Sequence, residues 1–321
     1  MLKPQLKRAS LAGPAIHSPP TDGDPMDVLG GLSSGFASAA AMKADILYEK
    51  DFARLAEILS GHAGIRLPPS KRLMVEGRLR KRVRALGLPS ITEYCRQLFN
   101  DNQLESEFVH LVDAVTTNKT DFFREPQHFD FLKREIVPSL LARRRPHTGH
   151  LLKIWSAASS IGAEAYSIAM LLADVSQSMS LFRFAILGTD ISSQVLEQAR
   201  RAVYTEEMME PVPPDMQMRY LMRSRTAGGR REVRIVPELR RVCRFFHLNL
   251  MDTRYPFDQD VDVIFLRNVL IYFDKPTQEA VISRLVSHLR AGGYLLLGHS
   301  ESMIGANLQL KQVAPAVFQH V

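Results

Sequence analysis

The 321-residue chain has only two cysteines, Cys95 and Cys243, and neither has a second cysteine at metal or redox spacing. A disulfide framework and a cysteine-bound zinc site are therefore without support, and both thiols are expected to be buried and reduced. No apolar run reaches the roughly 20 residues that a membrane helix needs. Lys3, Lys7 and Arg8 are not followed by the apolar stretch of a signal peptide, so a cytoplasmic protein without membrane insertion is expected. There is no strict G-x-G-x-x-G and no internal repeat of the solenoid kind.

What is present is a core and a positive balance. Hydrophobic residues make up 45% of the chain, as in a globular protein. Forty-one Lys and Arg against 34 Asp and Glu give a net charge of +7, which admits nucleic acid, an anionic membrane or an acidic protein face as partner without choosing among them.

Roughly residues 1–45 are rich in Pro, Gly, Ala and Ser and read as a tail or linker. Helical periodicity starts at Phe52, Leu55, Ile58 and Leu59 and ends at Gly61 and Gly64. A second helix, with Ser70 as its cap, carries Val75, Leu79, Val83 and Leu86 on one stripe. Ser90 and Glu93 open a third, and Phe108, Leu111, Val112 and Val115 mark a fourth. This predicts a small all-helical domain over roughly residues 46–117.

From 118 to 321 apolar strands alternate with helices. The strands are expected at Leu151–Trp155, Phe184–Leu187, Phe245–Leu248, Val261–Phe265 and Tyr294–Leu297, the helices at Ala163–Ala173, Ser193–Arg201 and Thr277–Leu289. That order predicts an α/β domain with a mainly parallel, doubly wound, Rossmann-like sheet that binds ligands at its strand carboxyl ends. Pro211, Pro213, Pro214, Gly228, Gly229 and the alternating Val233 and Ile235 predict a small antiparallel β insertion at about 207–240.

Two features carry chemistry. The first strand enters the small-residue run Ser156-Ala157-Ala158-Ser159-Ser160-Ile161-Gly162, which lets a ligand approach the backbone beside a helix N-terminus, although plain strand-to-helix turns use the same residues. The second strand ends in Asp190, placed to accept from ribose hydroxyls unless it merely opens a turn before Ser192 caps the next helix. Together they favour an adenosine-containing ligand, and the missing dinucleotide fingerprint favours S-adenosylmethionine over NAD.

Five segments then coincide. Thr116-Thr117-Asn118-Lys119-Thr120-Asp121-Phe122-Phe123-Arg124-Glu125 resembles the T-T-N-x-T-x-F-F-R-E signature of the CheR-type chemotaxis protein-glutamate methyltransferases. The run from Trp155 to Ser167, Gly188-Thr189-Asp190-Ile191-Ser192, the run from Arg267 to Phe273, and Gly298-His299-Ser300-Glu301-Ser302 follow in family order and spacing. The resemblance implies an S-adenosylmethionine-dependent enzyme that esterifies receptor glutamates, with Asn118, Thr120, Arg124, Glu164, Asp190, Asn249, Leu250, Asn268 and Val269 as cofactor contacts and no metal. Arg124 is the expected clamp for the incoming carboxylate, and Tyr272 the neighbour of the methyl group. The second helix carries Lys71, Arg72, Arg78, Arg80, Lys81, Arg82 and Arg84 against the single acid Glu76. A basic run is often only a solvated face; the family supplies an acidic partner, the methylation helices of a receptor, for Arg78, Arg80, Lys81 and Arg84. A monomer that binds no nucleic acid is the expected state.

The sequence departs from the family at Ala163 and Ala165, where Glu and Pro are usual, and at Lys119. A methyltransferase for another substrate and a non-catalytic binding module on the same fold therefore stay open. Glu164 is read as the acid facing the cofactor, and Ala163→Glu as a surface substitution of small effect.

Overall fold

Helix-forming segments with apolar stripes must cover one another before the sheet begins, and they do so in four steps. In the computed structural model, which describes residues 45–100, 103–116, 119–143, 150–177, 182–225, 231–257, 259–301 and 309–321, α1 (Glu49–Ala63), α2 (Arg72–Ala85), α3 (Ile91–Asn100) and α4 (Leu104–Val115) enclose a core that includes Phe52, Leu55, Leu79, Tyr94, Leu98 and Leu111. Gly61 lies inside α1. Gly64 ends that helix in the left-handed region at φ 68°, and a Cβ there would lie 2.6 Å from the Phe273 ring. Only glycine meets both demands. Ser70 does not cap α2: it sits in a 3₁₀ turn, Pro69–Lys71, and α2 starts after it without a side-chain cap. Ser90 does accept from Glu93 N at 3.1 Å.

A helical stretch follows as α5 (Pro126–Phe131), a π segment (Leu132–Ile136) and α6 (Val137–Ala142). The strands β1 (His150–Ala157), β2 (Phe182–Asp190), β3 (Val203–Thr205), β4 (Leu221–Arg225), β5 (Arg231–Ile235), β6 (Cys243–His247), β7 (Val261–Leu266), β8 (Leu289–Leu297), β9 (Leu310–Ala314) and β10 (Val317–His320) form two sheets. The larger has the order β6-β2-β1-β7-β8-β10-β9, parallel from β6 to β8 and antiparallel at β10 and β9. Its helices are α7 (Ala163–Gln177), α8 (Ser193–Arg201) and α11 (Lys275–Val286). Ser192 caps α8 by accepting from Val195 N, and Asp274 caps α11 by accepting from Thr277 N. Leu289 begins β8 rather than ending α11.

The expected antiparallel insertion is a three-stranded sheet of order β3-β5-β4, joined by α9 (Pro214–Tyr220) and followed by α10 (Pro237–Val242). It starts at Val203, four residues before the expected boundary; Gly228 and Gly229 lie outside the described residues. Tyr204 fastens it to the turn between β1 and α7, its hydroxyl donating to Ile161 O at 2.7 Å. No described helix is long and apolar enough to cross a membrane.

Candidate active site

Because β1 has β2 on one side and β7 on the other, the chain leaves it in opposite directions, and a crevice opens at the strand carboxyl ends. A cavity of about 540 Å³ occupies that position, within the roughly 300–1,000 Å³ usual for small-molecule sites. Thr120, Arg124, Glu164, Asp190, Asn249, Leu250, Asn268, Val269 and Tyr272 all line it. Asn118 lies outside the described residues. The helical bundle supplies the opposite wall, from Ala63 to Pro68 with Lys71 and Met74, which sequence periodicity did not reveal. Two bonds hold that wall in place: Asn249 Nδ2 donates to His62 O at 2.6 Å, and Arg66 N donates to Tyr272 O at 3.2 Å. Both polar atoms of the Asn249 side chain are thus engaged, Nδ2 with the bundle and Oδ1 as acceptor from Met251 N at 2.9 Å.

The turn after β1 is strained in a way that suits a ligand. Ala158 and Ser160 take φ of 58° and 49°, conformations that cost non-glycine residues free energy and cluster at functional sites. Asp190 fixes this turn, accepting from Ser160 N at 2.8 Å and Ser192 N at 2.9 Å, with the Ile191 amide as a further backbone donor. A carboxylate has about four lone-pair sites, so capacity for a hydroxyl remains. Burial raises the Asp190 carboxyl above its ordinary range, with these backbone donors working against the rise.

Glu164 is joined to a residue that had no assigned role. Its Oε1 accepts from Ser156 Oγ at 2.6 Å and its Oε2 lies 3.2 Å from Arg267 Nη1. Arg267, whose side chain is 3% exposed, also lies 3.2 Å from Glu125 Oε2 and donates to Arg124 O. One guanidinium therefore ties the end of β7 to α7 and to the Arg124 segment. Burial raises the Glu164 carboxyl, opposed by Arg267 and Ser156. For Glu125 burial also pulls upward, but Arg267, Asn268, His299 and His128 outweigh it and hold the carboxyl below the ordinary range.

Among the described residues, Glu125, His128 and His299 bring ligand-type atoms within 4.8 Å of one another. Arg267 beside Glu125 already supplies positive charge there. His128 is 2% exposed, and burial together with Arg267 lowers its pKa to about 4, against Glu125 and the Pro315 carbonyl. A histidine depressed in the folded state stabilises fully above its unfolded pKa near 6.5 and loses that contribution as pH falls toward about 4. Stability should therefore drop by about 2 kcal/mol from this group between pH 7 and 5. Urea unfolding at both pH values, with wild type and His128→Phe, checks it: the variant should lose less on acidification.

The basic helix divides. Arg78 Nη1 donates to Val115 O at 2.7 Å and Thr116 O at 2.9 Å, capping the end of α4. Arg80 pairs with Glu76 at 2.6 Å and Asp45 at 3.1 Å. Both were expected in the docking face; these bonds show that they also hold the bundle together, and the Arg80 side chain stays 41% exposed. Lys81 and Arg84 are exposed. Four further cationic residues, Arg66, Lys71, Lys119 and Arg124, stand among the cavity lining, the first three exposed.

The cavity's chemistry fits S-adenosylmethionine: acids for an amine and a ribose diol, and a backbone left open by small residues. Comparison with known proteins agrees. Residues 118–318 match the family described as CheR methyltransferase, SAM binding domain, and residues 50–116 match the CheR methyltransferase all-alpha domain. The chemotaxis protein methyltransferase of Salmonella typhimurium is 40% identical over 256 residues, covering 80% of this chain and 85% of the relative. That of Borreliella burgdorferi is 36% identical over 270 residues, 84% and 93% of the two chains, and a probable one of Rhizobium etli is 39% identical over 243 residues, 76% and 89%. With both of its domains matched and the strand-end residues gathered around one cavity, the chain belongs to the CheR methyltransferase family.

Proposed function

We propose that this protein transfers the methyl group of S-adenosylmethionine to glutamate side chains of chemotaxis-type receptors, giving glutamate methyl esters and S-adenosylhomocysteine. The observation that carries the reading is a single cavity with Glu164 and Asp190 in its wall, both largely withdrawn from water, and Arg66, Lys71, Lys119 and Arg124 around it. Such acids suit a cationic cofactor, and the cations suit a carboxylate acceptor. The relatives' names, chemotaxis protein methyltransferase, supply the partner class.

Asp190 holds the ribose hydroxyls and Glu164 the methionyl amine, while Thr120, Leu250, Asn268 and Val269 complete the walls. Bound S-adenosylmethionine supplies a methyl group activated by its sulfonium. A glutamate with a pKa near 4.3 is already ionised at neutral pH, so the protein needs no general base. Its task is to align the carboxylate and exclude water, which is catalysis by proximity and orientation. Arg124 pairs with the incoming carboxylate and Tyr272 borders the methyl group.

Receptor-bearing membranes incubated with the protein and methyl-labelled S-adenosylmethionine should gain base-labile label. Lys81→Glu with Arg84→Glu should slow that labelling about tenfold at low ionic strength, leave cofactor affinity unchanged and flatten the salt dependence. Wild-type rates in the double variant at low salt would reduce this face to a solvated surface. Arg78→Glu is no equivalent test, because it removes the donor to Val115 and Thr116.

A further inference from the structure

Glu301 is 6% exposed and does not line the cavity, yet its carboxylate is saturated. Oε2 accepts from Asn268 N at 2.9 Å and Gly298 N at 2.7 Å; Oε1 accepts from Val269 N and Leu270 N, both at 2.7 Å. Four N–H donors fill the roughly four lone-pair sites of a carboxylate. The turn so held is one that Asn268 enters at φ 60°, a conformation that persists only where its surroundings enforce it. The approach is close enough that a Cβ at Gly298 would lie 2.8 Å from both Asn268 Nδ2 and Glu301 Oε2.

The anchoring has an electrostatic consequence on the other side of the turn. Across a trans peptide, the N–H of one residue and the C=O of the residue before it point in opposite directions. Drawing the N–H groups of Asn268 and Val269 onto Glu301 turns the carbonyls of Arg267 and Asn268 away from it. Asn268 and Val269 line the cavity and Glu301 does not, and the trans peptides put these carbonyls on the side of the turn away from Glu301. On the reading above, a ligand joining Asp190 at the end of β2 to Glu164 beside Arg267 spans β1 and meets this turn.

We infer that Glu301 is a positioning residue that presents the Arg267 and Asn268 carbonyl oxygens to the cationic centre of the cofactor, an attraction felt by the sulfonium of S-adenosylmethionine and not by the uncharged thioether of S-adenosylhomocysteine. The inference rests on the cofactor reading of the cavity, and the test separates the two. Wild type, Glu301→Gln and Glu301→Asp are titrated calorimetrically with each compound. Glu301→Gln puts an amide donor where an acceptor is required, and Glu301→Asp keeps the charge but shortens the reach. The expected result is a rise of about tenfold in Kd for S-adenosylmethionine in Glu301→Gln, with a change below threefold for S-adenosylhomocysteine. Equal losses for both compounds would make Glu301 a support of the fold alone and overturn the inference, as would no loss. A wild type that binds neither compound would overturn the cofactor reading itself and the inference with it. Should neither variant fold, amide hydrogen exchange on the wild type decides: slow exchange at Asn268, Val269 and Leu270 without cofactor is required, and exchange at exposed-loop rates contradicts the anchoring.

Discussion

Arg267→Met should lower the stability of the protein by about 3–5 kcal/mol, the cost of removing one partner from a buried ionic group. The side chain is 3% exposed and lies 3.2 Å from both Glu125 and Glu164, so its loss leaves two partly buried carboxylates without this cation. Methionine fills much of the volume, which assigns the loss to charge rather than to a cavity. The melting temperature should fall by roughly 10 °C, and S-adenosylmethionine binding should fall with it, because the same guanidinium orients Glu164 and holds Arg124 O. Arg267→Lys keeps the charge but not the fork that reaches three groups, and should lie between. Urea unfolding at neutral pH gives the values; a loss below about 1 kcal/mol for the methionine variant would mean that the two acids are compensated by something other than Arg267.

Glu164→Ala should weaken S-adenosylmethionine binding by about tenfold to a hundredfold, the range of a charge-assisted hydrogen bond of roughly 1.5–3 kcal/mol. Ser156 and Arg267 hold the carboxylate in place, and its remaining lone pairs are available to the methionyl amine. Glu164→Gln separates charge from shape and should retain part of the fold's stability while losing most of the affinity. Ala163→Glu does not serve as the companion variant that the sequence suggested. Ala163 is fully buried in the core on one face of the sheet, so a glutamate there introduces an uncompensated buried charge and unsettles the fold. Wild-type affinity in Glu164→Ala would remove this acid from the cofactor site.

The legible parts of this molecule are those where chemistry repeats locally. Strand and helix alternate in period, Ser192 stands where a cap is required, and the residues that end β2, β6 and β7 converge because a parallel sheet puts its carboxyl ends on one edge. What stayed hidden depends on long-range partners. Arg78 and Arg80 look the same in sequence whether they face solvent or cap backbone carbonyls and pair with acids, and here they do the latter. Arg267 and Glu301 lay inside recognised segments, but a buried acid satisfied by backbone N–H groups has no complementary side chain to betray it. The stretch from α5 to α6 is hard to read in the sequence because Pro126 and Pro138 punctuate it; Pro126 stands in the first turn of α5, where no N–H is missed, and Pro138 stands just after the π segment. The hairpin of β9 and β10 is built from segments too short to announce themselves by alternation. Ala163 was misjudged for the same reason: helical spacing gives a residue's direction but not what packs against it.

The most direct measurement is to identify the atom that receives the methyl group. A cytoplasmic fragment of a chemotaxis-type receptor is incubated with this protein and S-adenosylmethionine, digested and sequenced by mass spectrometry. The account predicts a mass gain of one methylene on glutamate residues, removed by mild base and absent when Glu164→Ala replaces the wild type at low cofactor concentration. Methylation confined to nitrogen, sulfur or another small molecule, or none at all while S-adenosylmethionine binds, would contradict it.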